Sequence, residues 1–305
     1  MAADNILRTY GDVSAREDVV LNAVEILTAR ETQIMNMLGK TAAINTVHSY
    51  LTDTLLTAAS LAVSEGADFT AQALTTPTRL TNLVEIVAYN YKVTGTQQAI
   101  EHYSGAELAR QTEKAMMNYA NAVEFDLVRS TLVSGVSGTT PKMSGIIEAI
   151  SVSTNTTAHT SGTAWSATIL DSLMLNCWNV SNGDVATDLF LGGILRKNTD
   201  NFAQKTNVVV NAPGISSIVR TVSSYETAFG TLNIHKHRYV QQSTDATGRV
   251  LAIRPEKLKI AYLKKPFIKD LAESGDYSNK AIVGSMTLEV HNKQSNFFAS
   301  GFLLA

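Results

Sequence analysis

Between Thr46 and Thr94 the chain runs through a long stretch with no core pattern of its own, and it leads directly into a rod. The rod is read over Gly105 to Leu132, where Leu108, Thr112, Ala115, Met116, Tyr119, Ala122/Val123 and Leu127 recur at three- and four-residue spacings as one stripe. About 28 residues at a 1.5 Å rise give a helix of about 42 Å, longer than a compact domain of this size requires. The preceding stretch contains one strand candidate, Leu83 to Thr94, and the pattern pairs it with Val47 to Thr54. The roughly 30 residues between them make a loop of a length that is usually functional or disordered. A two-stranded ribbon is marginal in water, so this one requires support from outside itself. The expected support is another copy of the same chain.

Composition narrows the class. The 305 residues suffice for one large or two ordinary domains, and 45% hydrophobic with 17% charged residues reads as globular and poor in charge. A net charge of −2 and a pI near 6.3 argue against a dedicated nucleic-acid binder, which concentrates positive charge to displace phosphate counterions. The single cysteine, Cys177, has no partner for an internal disulfide, which points to an intracellular origin. Met1-Ala-Ala-Asp-Asn does not open a basic-then-apolar export signal, and no apolar run approaches the roughly 18 residues of a membrane span. No membrane partner is expected.

Around the rod, Arg16 to Leu38 keeps helical spacing and stops at Gly39-Lys40. Ser104 is placed to cap the long helix, with Glu107 completing a capping box. Ser134-Gly-Val-Ser-Gly-Thr-Thr-Pro141 breaks the chain after it. Beyond the break, a helix from Trp165 to Trp178 opens at Ser166. A turn at Asn182-Gly183, a short strand at Leu189 to Leu191 and a helix from Ile194 to Phe202 complete the heart of a second domain. Strands are expected at Val208 to Val210, Ile218 to Val222 and Thr231 to His235, and again at Val250 to Ile253, Leu258 to Leu263 and Ser285 to His291. The long helix and the late strands are each too apolar on one face to stand alone. Packing them together makes the middle domain an insertion.

No catalytic motif emerges. The chain lacks a phosphate-cradling glycine loop, a dinucleotide fingerprint and a nucleophile elbow. His235-Lys-His237 places two imidazoles on one strand face, which reads either as a polar strand end or as a fragment of a metal site. Cys177 sits on an apolar helix stripe beside Trp178 and reads as core. Glu124 and Asp126 diverge around their helix and do not suggest shared-proton chemistry. Arg254 to Lys269 is the most basic segment; Lys257 and Lys259 alternate with Leu258, Ile260 and Tyr262, as on a solvated sheet face or a weak nucleic-acid contact. No cofactor, metal or enzymatic activity is expected.

The order of elements, together with local strings, resembles the major capsid proteins of tailed bacteriophages, a fold shared with herpesvirus shells and encapsulin compartments. ARED (15–18), RETQIMNMLGK (30–40) and SYLTDTL (49–55) are similar to the opening of one capsid subfamily; EGADF (65–69), TPTRLTN (76–82) and VTGTQQAI (93–100) are similar to its extended loop and spine entry. YETAFGTLNIHKHRYV (225–240), RPEKLKIAYLKKP (254–266), DLAESGD (270–276) and GSMTLEVHN (284–292) resemble its closing strands. The resemblance implies an α+β fold divided into an N-terminal arm (1–45), an extended β-hairpin loop (46–95), a peripheral domain with the spine helix (96–145), an inserted axial domain (146–250) and returning peripheral strands (251–305). It implies a shell subunit that forms hexamers and pentamers around double-stranded DNA, with an encapsulin-like compartment as the alternative. Intersubunit contacts are then expected at Asp53, Glu65, Phe69, Arg79, Tyr89 and Tyr91. Further implied partners are decoration, scaffolding and portal proteins and, weakly and non-specifically, the packaged DNA. The implied location is the virion, with assembly in the host cytoplasm. Some proteins of this fold cross-link a loop lysine to a neighbouring asparagine, but Val47 to Asn82 contains no lysine, and that reaction is not carried over.

Overall fold

The computed structural model describes residues 32–56, 58–69, 71–100, 106–136, 138–151, 155–206 and 223–304. The rod is present as α3 (Glu107–Arg129), 23 residues and about 35 Å long. It ends before Leu132 because Ser130 turns to extended backbone while its N–H still closes on the Asp126 carbonyl. Arg129 is held there by Asp245 and by the Tyr239 and Val240 carbonyls. The capping box lies outside the described residues at Ser104, and the Glu107 carboxylate accepts from Arg110 and Gln111 instead.

Ahead of the rod come α1 (Gln33–Met37), β1 (Gly39–Ala42), β2 (Val47–Thr52), β3 (Thr78–Leu83), β4 (Glu85–Thr94) and α2 (Gly95–Ala99). Behind it come α4 (Ile146–Ser151), β5 (Thr156–Thr163), α5 (Ala167–Val180), β6 (Asp188–Leu191), α6 (Gly193–Thr206), β7 (Ser224–Thr227), β8 (Gly230–Lys236) and β9 (Gly248–Ile253). A single 3₁₀ turn at Pro255–Lys257 then leads to β10 (Leu258–Asp270), β11 (Tyr277–Val290) and β12 (Phe297–Phe302). The expected helix from Arg16 is described only in its last turn, and the strands expected at 208–210 and 218–222 lie outside the described residues.

Among the described residues the strands form three sheets, ordered β1-β10-β11-β4, β5-β12-β9-β6-β8-β7 and β2-β3. This corrects the pairing read from the pattern. Of the stretch Leu83 to Thr94 only Leu83 pairs with Val47 to Thr54, opposite Val47; the strand breaks at the buried Val84. Thr78–Leu83 pairs with β2, whereas Glu85–Thr94 joins the four-stranded sheet beside β11 and lies under α3. Packing decides the outcome, because Glu85, Val87, Tyr91 and Val93 turn one face of β4 inward. One of the two strands expected to need a neighbour therefore finds its place at home.

The six-stranded sheet is a wall between two cores. Along β9, Leu251 and Ile253 face α3 and α4, while Val250 and Ala252 face α5 and α6; Phe190 against Leu189 and Leu191, and Phe298 against Phe297, alternate in the same way. Strands buried on both faces read as continuous apolar runs, which explains their clear signal in the sequence. The boundary expected at residue 250 falls inside β9, and β12 pairs with β5 and β9 in this same sheet rather than among the other late strands.

One buried polar knot ties the parts together. Glu124, on the inner face of α3, accepts from the Ile34 N–H (2.7 Å) and the Met35 N–H (2.8 Å) through separate oxygens. His237, just past β8, donates Nε2–H to it at 2.9 Å while its Nδ1 accepts from the Tyr239 N–H. A buried carboxylate is tolerated when its lone pairs are filled in this way.

Candidate functional site

The β2–β3 ribbon stands apart from both larger sheets, and it carries residues 53–77 as one long excursion. Its two ends meet: the Thr75 hydroxyl donates to the Thr54 carbonyl at 3.0 Å. Between them the described side chains are exposed. Leu55 is 98% exposed, Phe69 90% and Leu74 93%, with Leu56, Leu61 and Val63 also uncovered. The only charges from 53 to 77 are Asp53, Glu65 and Asp68, all acidic. Six large apolar side chains are thus left uncovered along one segment.

The expected contact residues divide between the excursion and the body. Asp53 sits at the mouth and accepts from the Thr54 N–H, Glu65 and Phe69 lie exposed at the far end, and Arg79 on β3 donates to the Ser49 hydroxyl. Tyr89 and Tyr91, by contrast, stand on β4. There Asn118 donates to the Tyr89 hydroxyl, and the Tyr91 hydroxyl is 2.8 Å from Thr112 Oγ1, so both lean on α3 of their own chain.

A second uncovered surface lies on the body. An apolar groove of about 750 Å³ runs between α3, β1 and the outer half of the β10–β11 hairpin, floored by Met116, Tyr119, Val123 and Ile282 and walled by Phe267 and Ile268. Lys40 and Lys265 stand at its edge. Burial raises the Tyr119 phenol well above its ordinary range, and its hydroxyl has no hydrogen-bond partner among the described residues. Gly284 lies against that hydroxyl, and a Cβ there would collide with it. The hairpin reaches beyond the sequence expectation at its tip, where β10 runs past Leu263 to Asp270 and β11 begins at Tyr277 rather than Ser285. Lys264, Lys265 and Pro266 lie past the strand expected at Leu258 to Leu263, and bulges between Tyr262 and Phe267 absorb them.

The residues weighed for chemistry are occupied structurally. His235 pairs with Asp188 at 2.9 Å and stacks on Phe190; His237 is spent on Glu124. Cys177 is fully buried, and burial pushes its thiol up, away from the nucleophilic thiolate. Among the described residues, no three His, Cys, Asp or Glu side chains come together in a metal-binding group. Lys257 leaves the strand face for Asp184, and Lys259 stays exposed. Glu124 and Asp126 do part company, and Asp126 faces Glu85 of β4. Sequence reasoning missed that pair, as it missed Glu289 between His48 and His291, because the partners are far apart in the chain.

Over residues 8–302 the sequence matches the family model described as SU10 major capsid protein. The chain belongs to that family. No curated protein matches it. Solved structures of similar fold include the capsid of a native GTA particle (9% identity, 97% of each chain, TM-score 0.64) and a chain of Gordonia phage Cozz (12%, 100% of this chain and 97% of that one, 0.61). An encapsulin complex from Synechococcus elongatus is also similar (8% identity, 95% and 94%, 0.58). The SU10-family chain is thus a shell-forming major capsid protein and a virion component, with the mixed helix–strand fold of phage capsids. The exposed excursion and the open groove belong to a protein whose family role is structural.

Proposed function

We propose that the chain assembles with itself into hexamers and pentamers, and that residues 53–77 of one copy seat in the groove between α3, β1 and the β10–β11 hairpin of the next. The observation that carries this reading is the exposure of Leu55, Phe69 and Leu74 on a segment with only acidic charge, against an apolar groove edged by lysines. Full burial of one such side chain contributes about 1.5–3 kcal/mol, so several per copy suffice to hold a shell whose contacts repeat. Such head-to-tail contacts close into rings. The six-stranded sheet with α5 and α6 is assigned to the domain gathered at the ring axis, and α3 with the four-stranded sheet to the periphery. The shell encloses double-stranded DNA, met weakly through exposed lysines such as Lys259, Lys264 and Lys269, and assembles in the host cytoplasm without enzymatic activity of its own. Decoration, scaffolding and portal proteins are its further partners.

Expression of the chain followed by sedimentation and negative-stain microscopy tests the proposal. Rings or closed particles are expected, and a monomer at every concentration would overturn it. The contents of purified particles separate the DNA-filled head from a protein-filled compartment.

A further inference from the structure

β10 has two unequal edges. One is laddered to β11 from Leu258 to Asp270. The other is covered only at its start, where β1 lies parallel beside Lys259–Tyr262 and the Ala43 N–H makes the last bond, to the Tyr262 carbonyl (3.0 Å). The chain then leaves, and among the described residues no strand takes its place. Residues 264–270 are all exposed. The Leu271 N–H donates to the Asn279 carbonyl (2.9 Å), so the alternation of an antiparallel ladder turns Lys269 and Phe267 toward β11. The N–H and C=O groups of Ile268 and Asp270 then face outward. This open half-edge is also a wall of the apolar groove, which Ile268 lines together with its cross-strand partner Ile282.

The excursion, for its part, contains a strand pattern without a ladder. The β2–β3 pairing ends at Thr52 opposite Thr78, and beyond the Thr75–Thr54 bond no ladder joins the two arms among the described residues. On the outgoing arm, Leu55, Ala59, Leu61 and Val63 stand at odd positions, and Leu56, Ala58, Ser60, Ala62 and Ser64 at even ones. An extended backbone puts the larger apolar side chains on one face and mostly small ones on the other. No Gly or Pro interrupts the stretch. A turn ends it: the Ala67 N–H donates to the Ser64 carbonyl (3.1 Å), with Gly66 at a left-handed φ of 80°. The returning arm does not repeat the pattern, because Phe69 and Leu74 fall on opposite faces. Residues 55–63 extend over about 30 Å, and the open edge 263–270 over about 26 Å, at about 3.3 Å per residue.

We infer that residues 55–63 of one copy add as a β-strand to the open half-edge of β10 in the next copy, end to end with that copy's β1; this rests on the docking reading above and specifies how the segment is held. Leu55, Leu61 and Val63 turn into the groove, and the outward backbone groups of Ile268 and Asp270 find partners as water is excluded. Main-chain bonds supply the attachment and alternate side chains the fit. An uncovered edge invites indiscriminate pairing, and this one is blunted by Lys264, Lys265, Lys269, Pro266 and the bulges between Tyr262 and Phe267. Those lysines suit a strand bracketed by acids, with Asp53 before it and Glu65 and Asp68 behind. Asp270, the acid on the edge itself, is engaged by Lys280 at 3.1 Å.

Proline scanning of the full chain tests the ladder. In a strand paired along one side, successive N–H groups point in opposite directions, so proline is tolerated at one of two adjacent positions and not at the other. Ala58→Pro and Ala59→Pro are compared with Ala58→Val and Ala59→Val, which add similar bulk and keep the N–H. One proline is expected to raise the subunit concentration needed for particles about tenfold over its valine control, the other less than about twofold. Both positions are exposed in the subunit, and thermal melting checks that each variant is folded. Hydrogen–deuterium exchange of wild-type particles against dispersed subunits is expected to show about tenfold or greater protection in peptides covering 55–63 and 264–271 together. Equal effects of the two prolines, or amides that exchange as fast in particles as in subunits, overturn the added strand. If neither proline acts but Leu61→Asp weakens particle formation, the strand fails and the docking reading stands; if all assemble like wild type, both fail.

Discussion

Removing residues 55–74 separates the fold of this capsid protein from its assembly. Thr54 and Thr75 already touch, so a tight turn can join them without moving β2 or β3. Leu55, Leu61, Phe69 and Leu74, the large apolar side chains most exposed in this segment, contribute little to the core. Shortening the closed loop from about 24 residues to about 4 lowers its closure entropy by about 1.5 kcal/mol. For a chain of this size that is a rise in Tm of about 2–3 °C. Assembly responds in the opposite direction. Four apolar anchors at about 1.5–3 kcal/mol each give an upper bound of about 6–12 kcal/mol per contact. Ordering the segment on docking consumes a large part of this, leaving about 4 kcal/mol, or about a thousandfold in subunit association. Differential scanning calorimetry reads the first effect and sedimentation velocity the second. A deletion variant that melts several degrees lower, or that forms particles at the wild-type concentration, refutes the reasoning.

Glu124→Ala leaves His237 and two backbone N–H groups without their acceptor inside the core; a loss of about 3 kcal/mol is expected by chemical denaturation. Gly284→Ala collides with the Tyr119 hydroxyl and costs about 1–3 kcal/mol, whereas Tyr119→Phe alone costs little; a double-mutant cycle should show the second change relieving the first. Met116→Lys, on the half-exposed floor of the groove, is expected to leave melting unchanged and to weaken particle formation in sedimentation. Asp126 has a folded-state pKa raised to about 6, so the folded state binds protons that the unfolded chain has released. Its contribution is present below the ordinary carboxylate range and is lost as pH rises through about 6. Asp126→Asn should therefore gain about 1–2 kcal/mol at neutral pH and nothing near pH 4, read from urea titrations at both.

The parts of the fold legible in the sequence are those where burial imposes one period over many residues. The stripe on α3 marks its inward face through Ala115, Tyr119, Val123 and Leu127, and the runs at Leu189 to Leu191 and Val250 to Ile253 mark strands covered on both sides. The left-handed Asn182-Gly183 turn announces its position by local chemistry, and Ser166 stands at the start of α5 as expected although its side chain makes no capping bond. What was not legible depended on distant partners. Thr78–Leu83 has no alternation to distinguish it; it is a strand because β2 lies beside it and Asn82 is gripped by Leu288 and Ser144. The outer half of β10 is a strand despite Pro266 and its lysines because β11 supports it. Of the candidate site, the exposed segment with Asp53, Glu65 and Phe69 was readable as a stretch without a core pattern. The groove was not, since α3, β1 and two hairpin strands meet there only in the folded chain.

A reconstruction of the assembled particle at side-chain detail tests the central claim most directly. The account predicts residues 53–77 of each copy lying across its neighbour, with Phe69 and its apolar companions covered by Met116, Phe267 and Ile268 of that adjacent copy. Density showing the same segment turned back onto its own protomer, with the groove of the neighbour open to solvent, would contradict it.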